Sequence, residues 1–279
     1  MIIDILVAVV LGVVEGITEW LPISSTGHLI LVEKLLSFSD VSDGFKEMFD
    51  VVIQLGAVLA VVVIYWNRLW PFCKDKSTHY IKKGAVPLWC KVIIGVLPAA
   101  VIGLLFDDKI DALFYDNPFV IAATLIIYGV LFIVLERFNK KRTFKINSIE
   151  DMSYLTAFFI GCFQVLSMIP GTSRSGITIL GAMLLCTSRT VAADYSFFMS
   201  FPVMLGASAL KLIKYVTSAQ VPLAEWVILA VGMVVAFLIS VVAIKFLISY
   251  IKKKDFTVFG YYRIILGIIV LLYFGLIQK

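Results

Sequence analysis

The sequence predicts an all-α polytopic membrane protein with an inverted-topology repeat, in which each half holds one re-entrant helical hairpin and three transmembrane helices. Composition is the first observation. Of the 279 residues, 61% are hydrophobic and 15% are charged, and the mean hydropathy is +1.01, whereas soluble domains are about 25% charged. The second observation is a pair of short apolar stretches broken by polar turns, and the third is a sparse similarity between the two halves. Since each crossing needs about 20 apolar residues and a connection, the chain has room for roughly six to eight crossings.

The first half begins with an apolar run over residues 2–21, which ends at Pro22 and a polar turn over residues 24–27. A second short apolar piece follows over residues 29–36. A polar turn at membrane depth is tolerated only where it is buried in protein or lines a wet cavity, so we expect a re-entrant hairpin over residues 2–37. Full crossings are predicted over residues 45–66, 85–106 and 118–136.

The second half repeats this order. Short apolar pieces over residues 152–168 and 177–186 flank a break at Pro170 and Gly171, which predicts a second re-entrant hairpin. Full crossings are then predicted over residues 191–214, 226–250 and 258–276.

The two halves, about residues 2–137 and 151–277, are predicted to form one membrane domain. Three crossings and one hairpin in each half invert the second copy, and inverted repeats place their broken helices face to face near the midplane. We therefore expect the two polar turns to meet in one composite site. The match between the halves lies 149 residues apart: Gly12, Glu15, Ser24, Thr26 and Gly27 correspond to Gly161, Gln164, Ser173, Ser175 and Gly176.

The loop charges predict an orientation. Loops around residues 68–83, 137–145 and 252–254 are rich in Lys and Arg, and the positive-inside rule makes them cytoplasmic. The loop over residues 107–116 is acidic and is predicted outside. We therefore expect an inner-membrane protein whose site opens to the outer face.

Two classes of protein are disfavoured by composition. The net charge of +5 suits basic cytoplasmic loops, and no basic patch with interleaved aromatic residues predicts a nucleic-acid partner. The four cysteines include no C-x-x-C pair and mostly lie in apolar segments. We expect neither a disulfide framework nor a zinc site.

Two carboxylates lie inside the first apolar run. Glu15 and Glu19 are four residues apart and share one face of a helix. A carboxylate near the bilayer centre costs about 2.5–3.5 kcal/mol on insertion scales, which indicates function. Because adjacent carboxylates repel, either one holds a proton or a divalent cation lies between them, and oxygen ligands suit Mg²⁺ or Ca²⁺. The simpler alternative is a snorkelling surface pair.

His28 follows a turn that carries the hydroxyls of Ser24, Ser25 and Thr26. A histidine within reach of a hydroxyl can act as a general acid and base or as a nucleophile. The alternative is a histidine whose ring nitrogen bonds a backbone carbonyl.

Arg174 is a permanent cation at the tip of the second predicted hairpin, among the hydroxyls of Ser173, Ser175 and Thr178. Together with the amides of a helix N-terminus, these groups would bind phosphate. A buried arginine needs an anion, which would be the acidic pair or a substrate phosphate; a purely structural ion pair is the alternative. In an apolar chain this set predicts phosphate binding or phosphotransfer on a lipid phosphate.

Two long motifs resemble the signatures of the bacterial undecaprenyl-diphosphatases: E-G-I-T-E-W-L-P-I-S-S-T-G-H at 15–28 and P-G-T-S-R-S-G-I-T at 170–178, with F-D-V-V-I-Q-L-G-A at 49–57 extending the resemblance. This resemblance implies metal-dependent hydrolysis of undecaprenyl diphosphate to the monophosphate carrier of cell-wall synthesis, in the bacterial inner membrane, and a link to bacitracin resistance. It also implies that the family's acidic pair is Glu15 and Glu19, and that its arginine motif contains Arg174.

Charge considerations suggest a division of labour. We expect Arg174 to clamp the pyrophosphate, because its fork matches phosphate oxygens, and Glu15 and Glu19 to hold the cation. Ser25 with His28 as its base is favoured as nucleophile over His28 itself, and Ser25 and Arg174 should face each other across one phosphate. The remaining phosphate-binding residues are predicted to be Ser24, Thr26, Gly27, Ser173, Ser175 and Thr178.

The main competing interpretation is a secondary transporter or lipid-phosphate flippase, since inverted repeats with broken midplane helices also serve alternating access. The grouping of His28, Ser25 and Arg174 favours a phosphatase, because transport does not require it. A lipid phosphatase of the S-R-x5-H-x3-D type is excluded, since Tyr195 and Leu180 occupy the two candidate histidine positions. The expected partners are a polyprenyl diphosphate and membrane lipid, and a homodimer is left open.

Overall fold

The structure, a computed structural model, describes residues 1–73, 80–114, 117–218 and 221–277. Its regular structure is helical, and no β-strand occurs in those ranges. Part of the charge pattern that predicted the orientation lies outside the described residues, namely the loop segment 74–79, Asp116 and the side chains of Asp107, Asp108 and Asp111. The helices are α1 (Ile2–Thr18), α2 (Ser25–Leu35), α3 (Phe45–Ile64), α4 (Trp66–Leu69), α5 (Ala85–Phe114), α6 (Pro118–Asn139), α7 (Tyr154–Val165), α8 (Arg174–Leu184), α9 (Arg189–Ser218), α10 (Leu223–Ile251) and α11 (Thr257–Leu272).

Six helices in the described part of the chain are long and apolar enough to cross a membrane. They coincide with the six predicted crossings, so the prediction of a multi-pass all-α protein is confirmed. The expectation of an acidic loop directly after residue 106 was wrong, because α5 continues beyond the membrane span and ends at Phe114. The six spans are Phe45–Ile64, Ala85–Phe106, Pro118–Asn139, Arg189–Thr217, Leu223–Ile251 and Thr257–Gly275.

The two short-helix pairs lie where the sequence predicted breaks. The helix α1 ends at Thr18, four residues before Pro22, and α7 passes into a 3₁₀ turn over Leu166–Met168 before Pro170. Proline lacks an amide hydrogen and clashes with the preceding turn of a helix, so neither helix continues. The helices that follow, α2 and α8, are each 11 residues long.

The two turns that precede α2 and α8 have the same backbone geometry. Ser24 has φ 73° and ψ 102°, and Ser173 has φ 69° and ψ 115°, a region that non-glycine residues seldom adopt. Each serine hydroxyl accepts a hydrogen bond from the backbone N–H three residues later, at 3.3 Å from Gly27 and 3.1 Å from Gly176. Both helices are therefore capped by a serine in the same strained conformation.

Close glycine contacts join α1 to α10 and α7 to α5. A Cβ atom on Gly12 would lie 2.8 Å from the Gly232 carbonyl oxygen, and one on Gly161 would lie 2.1 Å from that of Gly95. Both distances are too short for a side chain, so the backbones approach as small residues allow in membrane helix pairs. Gly12 and Gly161 are also the positions that the sequence paired 149 residues apart.

A large buried core links α1, α3, α9 and α10, and Trp20, Phe49 and Phe197 are fully buried in it. The outer faces carry large apolar side chains, such as Leu104 and Phe138, which are 78% and 76% exposed. Apolar surface on this scale is rare on soluble monomers and suits contact with lipid.

Candidate active site

Glu19 lies in the turn between α1 and α2 and contacts three of the predicted site residues. Its carboxylate Oε1 accepts a hydrogen bond from Arg174 Nη2 at 2.6 Å, and its Oε2 accepts one from Ser25 Oγ at 2.8 Å. Its backbone carbonyl accepts a third from Ser175 Oγ at 2.9 Å. Glu19 is buried, so one desolvated carboxylate joins the nucleophile candidate to the arginine of the other half.

Arg174 is held in a fixed orientation by groups from two segments, the turn after α1 and the helix α9. Besides Glu19, its Nη1 donates to the Ser196 carbonyl oxygen at 3.1 Å, and its guanidinium carbon lies 5.9 Å from the centre of the Trp20 ring. The cation–π contact and the charge-assisted hydrogen bond both suit an arginine side chain at this position, because its guanidinium is planar and charged. The fork is therefore oriented before any phosphate binds.

The hydroxyls predicted to bind phosphate fall into two groups. Ser24 and Ser173 cap the first turns of α2 and α8, and Ser175 lies 3.3 Å from Ser173, hydroxyl to hydroxyl. The Thr178 side chain, by contrast, is fully buried: its hydroxyl donates to the Arg174 carbonyl at 2.8 Å and lies 2.7 Å from Ser196 Oγ. It thus fastens α8 to α9 behind the arginine. Thr26 and Gly27 lie in the first turn of α2, and Thr26 is half-buried.

The expected hydrogen bond between His28 and Ser25 is not formed in the structure. The His28 Nδ1 atom lies 2.7 Å from the Ser24 carbonyl oxygen, and its Nε2 lies 2.7 Å from the hydroxyl of Tyr262. Both ring nitrogens are therefore engaged, and which one carries the hydrogen depends on the tautomer. The helical turn explains this placement: the histidine ring reaches back to the residue four positions before it, while Ser25 points towards α1.

Comparison with known proteins places the chain in a family. The family model described as "Bacitracin resistance protein BacA" matches residues 8–269. The chain belongs to this family. A protein named undecaprenyl-diphosphatase from Enterococcus faecalis is 58% identical over 271 residues, covering 97% of both chains. A protein of the same name from Acetivibrio thermocellus is 56% identical over 271 residues, which cover 97% of this chain and 98% of that protein. Another from Desulfitobacterium hafniense is 55% identical over 275 residues, which cover 98% of this chain and 97% of that protein. The resemblance recognised from the two motifs is confirmed.

Glu15 is the other carboxylate predicted to hold a cation in this BacA-family protein, and it lies in α1. It is fully buried, and neither carboxylate oxygen has a hydrogen-bond partner in the structure. A buried charge left in this state is costly, so the position suits a proton or a cation shared with Glu19, one helical turn away. Within the described residues, no group of three or more His, Cys, Asp or Glu is arranged to hold a metal ion. A cation here would take its further ligands from water and substrate phosphate, as Mg²⁺ commonly does.

Arg263 was missed by the sequence reasoning. It is fully buried in α11. Its guanidinium donates to the Pro22 carbonyl at 3.2 Å in the first turn, and to the carbonyls of Gly171 and Thr172 at 2.9 and 3.0 Å in the second. A single arginine within an apolar span was the available signal, because intramembrane charges usually mark function.

Proposed function

We propose that this BacA-family protein hydrolyses undecaprenyl diphosphate to undecaprenyl phosphate and inorganic phosphate, and so recycles the lipid carrier of cell-wall synthesis. The observation that carries this proposal is the convergence of Ser25 and Arg174 on the two carboxylate oxygens of Glu19. Relatives 51–58% identical over nearly the whole chain are named undecaprenyl-diphosphatase. A transporter is not favoured, since it would need neither a paired nucleophile nor an arginine clamp.

The first chemical step is attack by Ser25 on the terminal phosphorus. The Ser25 Oγ–P bond forms, the bond from phosphorus to the bridging oxygen breaks, and undecaprenyl phosphate leaves with the electron pair. Glu19 accepts the serine proton, because it already accepts that hydrogen bond. We assign this role to Glu19 in place of His28, whose ring nitrogens are both engaged by other groups.

The second step returns the enzyme to its starting state. Water attacks the phosphorus of the phosphoserine, the Ser25 Oγ–P bond breaks, and inorganic phosphate leaves while the serine regains a proton. Glu19 passes the proton that it took from Ser25 to an oxygen of the departing undecaprenyl phosphate. It is then free to take a proton from this water and to return it to Ser25 Oγ as the Oγ–P bond breaks. His28 and Tyr262 then have a supporting role, in which they hold the turn before α2 through the Ser24 carbonyl.

Binding of the diphosphate is assigned to Arg174 and the N-termini of α2 and α8. Arg174 offers a bidentate fork and offsets the charge that develops during phosphoryl transfer. Helix N-termini attract anions through their free amides and dipoles, and the two helices begin at the two turns that meet at this site. The hydroxyls and amides assigned to phosphate binding belong to Ser24, Thr26, Gly27, Ser173 and Ser175, while Thr178 supports Arg174 from behind.

A divalent cation, Mg²⁺ or Ca²⁺, is assigned to Glu15 and Glu19. It would neutralise charge on the diphosphate and polarise the phosphoryl oxygens. The unpartnered carboxylate of Glu15 supports this assignment. The chain itself carries the neutral amide Gln164 at the corresponding buried position of the other half, which is the arrangement expected if only one half needs a cation.

We also propose that the two hairpins are re-entrant and that each belongs, with three transmembrane helices, to one half of an inverted repeat. The matching conformations of Ser24 and Ser173 support this, as does the reciprocal contact of Gly129 and Gly260, in which a Cβ on either glycine would lie 2.7 Å from the other's carbonyl oxygen. The basic loops suggest the inner membrane, with the site opening outward. A homodimer is a hypothesis that sizing of the purified protein in detergent would test.

Phosphate release from undecaprenyl diphosphate by the purified protein in detergent tests the function. No gradient exists in detergent, so release by the wild type would support a hydrolase rather than a transporter. We expect Ser25→Ala to abolish release and the control Ser249→Ala, a change of an exposed serine near the end of α10, to leave it unchanged. Absence of release by the folded wild type would overturn the proposal.

A further inference from the structure

Arg263 is a buried cation whose hydrogen bonds all go to backbone carbonyls. Its guanidinium is fully desolvated, its Nε has no hydrogen-bond partner, and in the part of the chain that the structure describes it makes no ion pair. Its three acceptors belong to Pro22, Gly171 and Thr172. Burying an arginine within the membrane without a carboxylate partner costs free energy. We therefore expect these carbonyl contacts to have a role other than neutralising a charge.

The acceptors lie one to three residues before the groups that perform the proposed chemistry. Pro22 precedes the cap Ser24 and the nucleophile Ser25, and Thr172 precedes the cap Ser173 and Arg174. A shift of these carbonyls would move the first turns of α2 and α8 with them. One side chain therefore contacts the backbones of both turns.

The turns need such a restraint because their backbones are strained. Ser24 and Ser173 have positive φ without being glycine. Strained conformations persist only where the surrounding structure over-determines them. Hydrogen bonds from a charged donor are stronger than neutral ones, and Arg263 gives one to the first turn and two to the second.

Arg263 is anchored by the close packing of α11 against α6. It lies one helical turn after Gly260, at which α11 meets α6 in close backbone contact, and its guanidinium carbon lies 5.7 Å from the centre of the Tyr128 ring. Its Nη1 also lies 3.2 Å from the position that a Cβ on Gly176 would occupy. The guanidinium therefore extends from α11 into the space between α6 and the first turn of α8.

We propose that Arg263 is a positioning residue for phosphoryl transfer, which holds the two turns at the separation that lets Ser25 and Arg174 share the Glu19 carboxylate. This inference rests on the proposed function. Arg263 acts through the turns, so its loss should lower kcat and leave KM within a few-fold. A misplacement of about 1 Å between reacting groups costs roughly 100-fold in rate, and we expect a loss of about 10- to 100-fold in kcat.

The first experiment compares kcat and KM for phosphate release by the wild type, Arg263→Gln and Arg263→Lys. Lysine keeps the charge, but its single ammonium cannot reach the carbonyls of both turns as a planar fork does, so both variants should lose kcat. The matched control is Arg189→Lys, which alters an arginine that pairs with Glu136 away from the site. Thermal unfolding in detergent shows whether each variant is folded. If the glutamine variant does not fold, the lysine variant carries the test.

A double-mutant cycle separates positioning from general stabilisation. In an Arg174→Lys background the clamp is already displaced, so Arg263→Lys should cost much less than it does in the wild type. An equal fold-loss in both backgrounds would assign Arg263 a merely structural role and overturn the inference, as would a kcat for Arg263→Lys equal to that of the wild type. Failure of the proposed function is a different result, namely no phosphate release by the wild type itself.

Discussion

Arg174 and Glu19 are separated by 155 residues of sequence, and yet a guanidinium nitrogen of one lies 2.6 Å from a carboxylate oxygen of the other. The two residues come from different short-helix pairs, so this contact, with the one from Ser175 to the Glu19 carbonyl, joins the halves of the chain at the site. Because Ser25 occupies the second oxygen of the same carboxylate, a phosphate bound by Arg174 would lie next to the proposed nucleophile.

Replacement of Arg174 by alanine should remove most turnover and leave the protein folded. The arginine is proposed to stabilise charge that develops in the transition state, and loss of one such donor typically costs about 100- to 1,000-fold in kcat. The measurement is phosphate release from undecaprenyl diphosphate, together with thermal unfolding in detergent. A folded Arg174→Ala protein with near-normal phosphate release would contradict the clamp role. The control is Arg137→Ala, which removes an exposed arginine at the end of α6.

Replacement of Glu15 by glutamine should raise the concentration of Mg²⁺ or Ca²⁺ needed for half-maximal activity. Glu15 has no hydrogen-bond partner to lose, and the corresponding Gln164 is tolerated in a buried position, so the fold should persist. Glu19→Gln should lose both the metal dependence and the base, and its activity should fall further. Titration of each variant with cation after treatment with chelator makes the comparison.

The control for this titration is Glu47→Gln, a change of an exposed carboxylate near the start of α3, which should titrate like the wild type. If chelator and added Mg²⁺ or Ca²⁺ leave the activity of the wild type unchanged, the assignment of a cation to Glu15 and Glu19 is wrong.

Rapid quenching during turnover should trap phosphate on Ser25. The Ser25 hydroxyl donates to Glu19, which can take its proton, whereas both ring nitrogens of His28 contact other groups. Phosphopeptide mapping with radiolabelled substrate would locate the label, and Ser25→Ala should abolish it. An acid-labile phosphohistidine at His28 would instead identify the histidine as the nucleophile.

Much of this architecture could be predicted from the sequence because the signals are local. Hydropathy identifies the six spans, and Pro22 and Pro170 lie shortly after the ends of the short helices, although α5 and α9 continue through Pro98 and Pro202. The end of α5 was misjudged because the acidic residues after position 106 were interpreted as a loop, although aspartate only weakly disfavours a helix that has already formed.

The site was harder to predict, since side-chain direction depends on tertiary contacts. Spacing alone put His28 near Ser25, but the backbone carbonyl of Ser24 competes for the same ring nitrogen, and Tyr262 is supplied by a helix more than 230 residues later. Arg263 could be noticed as an isolated charge in α11. Its partners are backbone carbonyls of two distant turns. Every residue has a backbone carbonyl, so the sequence does not show which of them accept these hydrogen bonds.

Replacement of Gly161 by alanine should destabilise the contact between α7 and α5. The new Cβ would lie 2.1 Å from the carbonyl oxygen of Gly95, and because that atom belongs to a helix backbone it cannot move aside alone. Overpacking of this kind typically costs about 1–3 kcal/mol of unfolding free energy, which a lower unfolding temperature in detergent would reveal.

Gly206→Ala is the matched control, since no atom lies within 4 Å of its Cβ position, and alanine within a helix is about 0.5–1 kcal/mol more stable than glycine. If the halves are built alike, Gly12→Ala should lower the unfolding temperature as well, because its Cβ would meet the Gly232 carbonyl on the corresponding helix pair. An unfolding temperature for Gly161→Ala as high as that of Gly206→Ala would mean that α7 and α5 do not approach so closely.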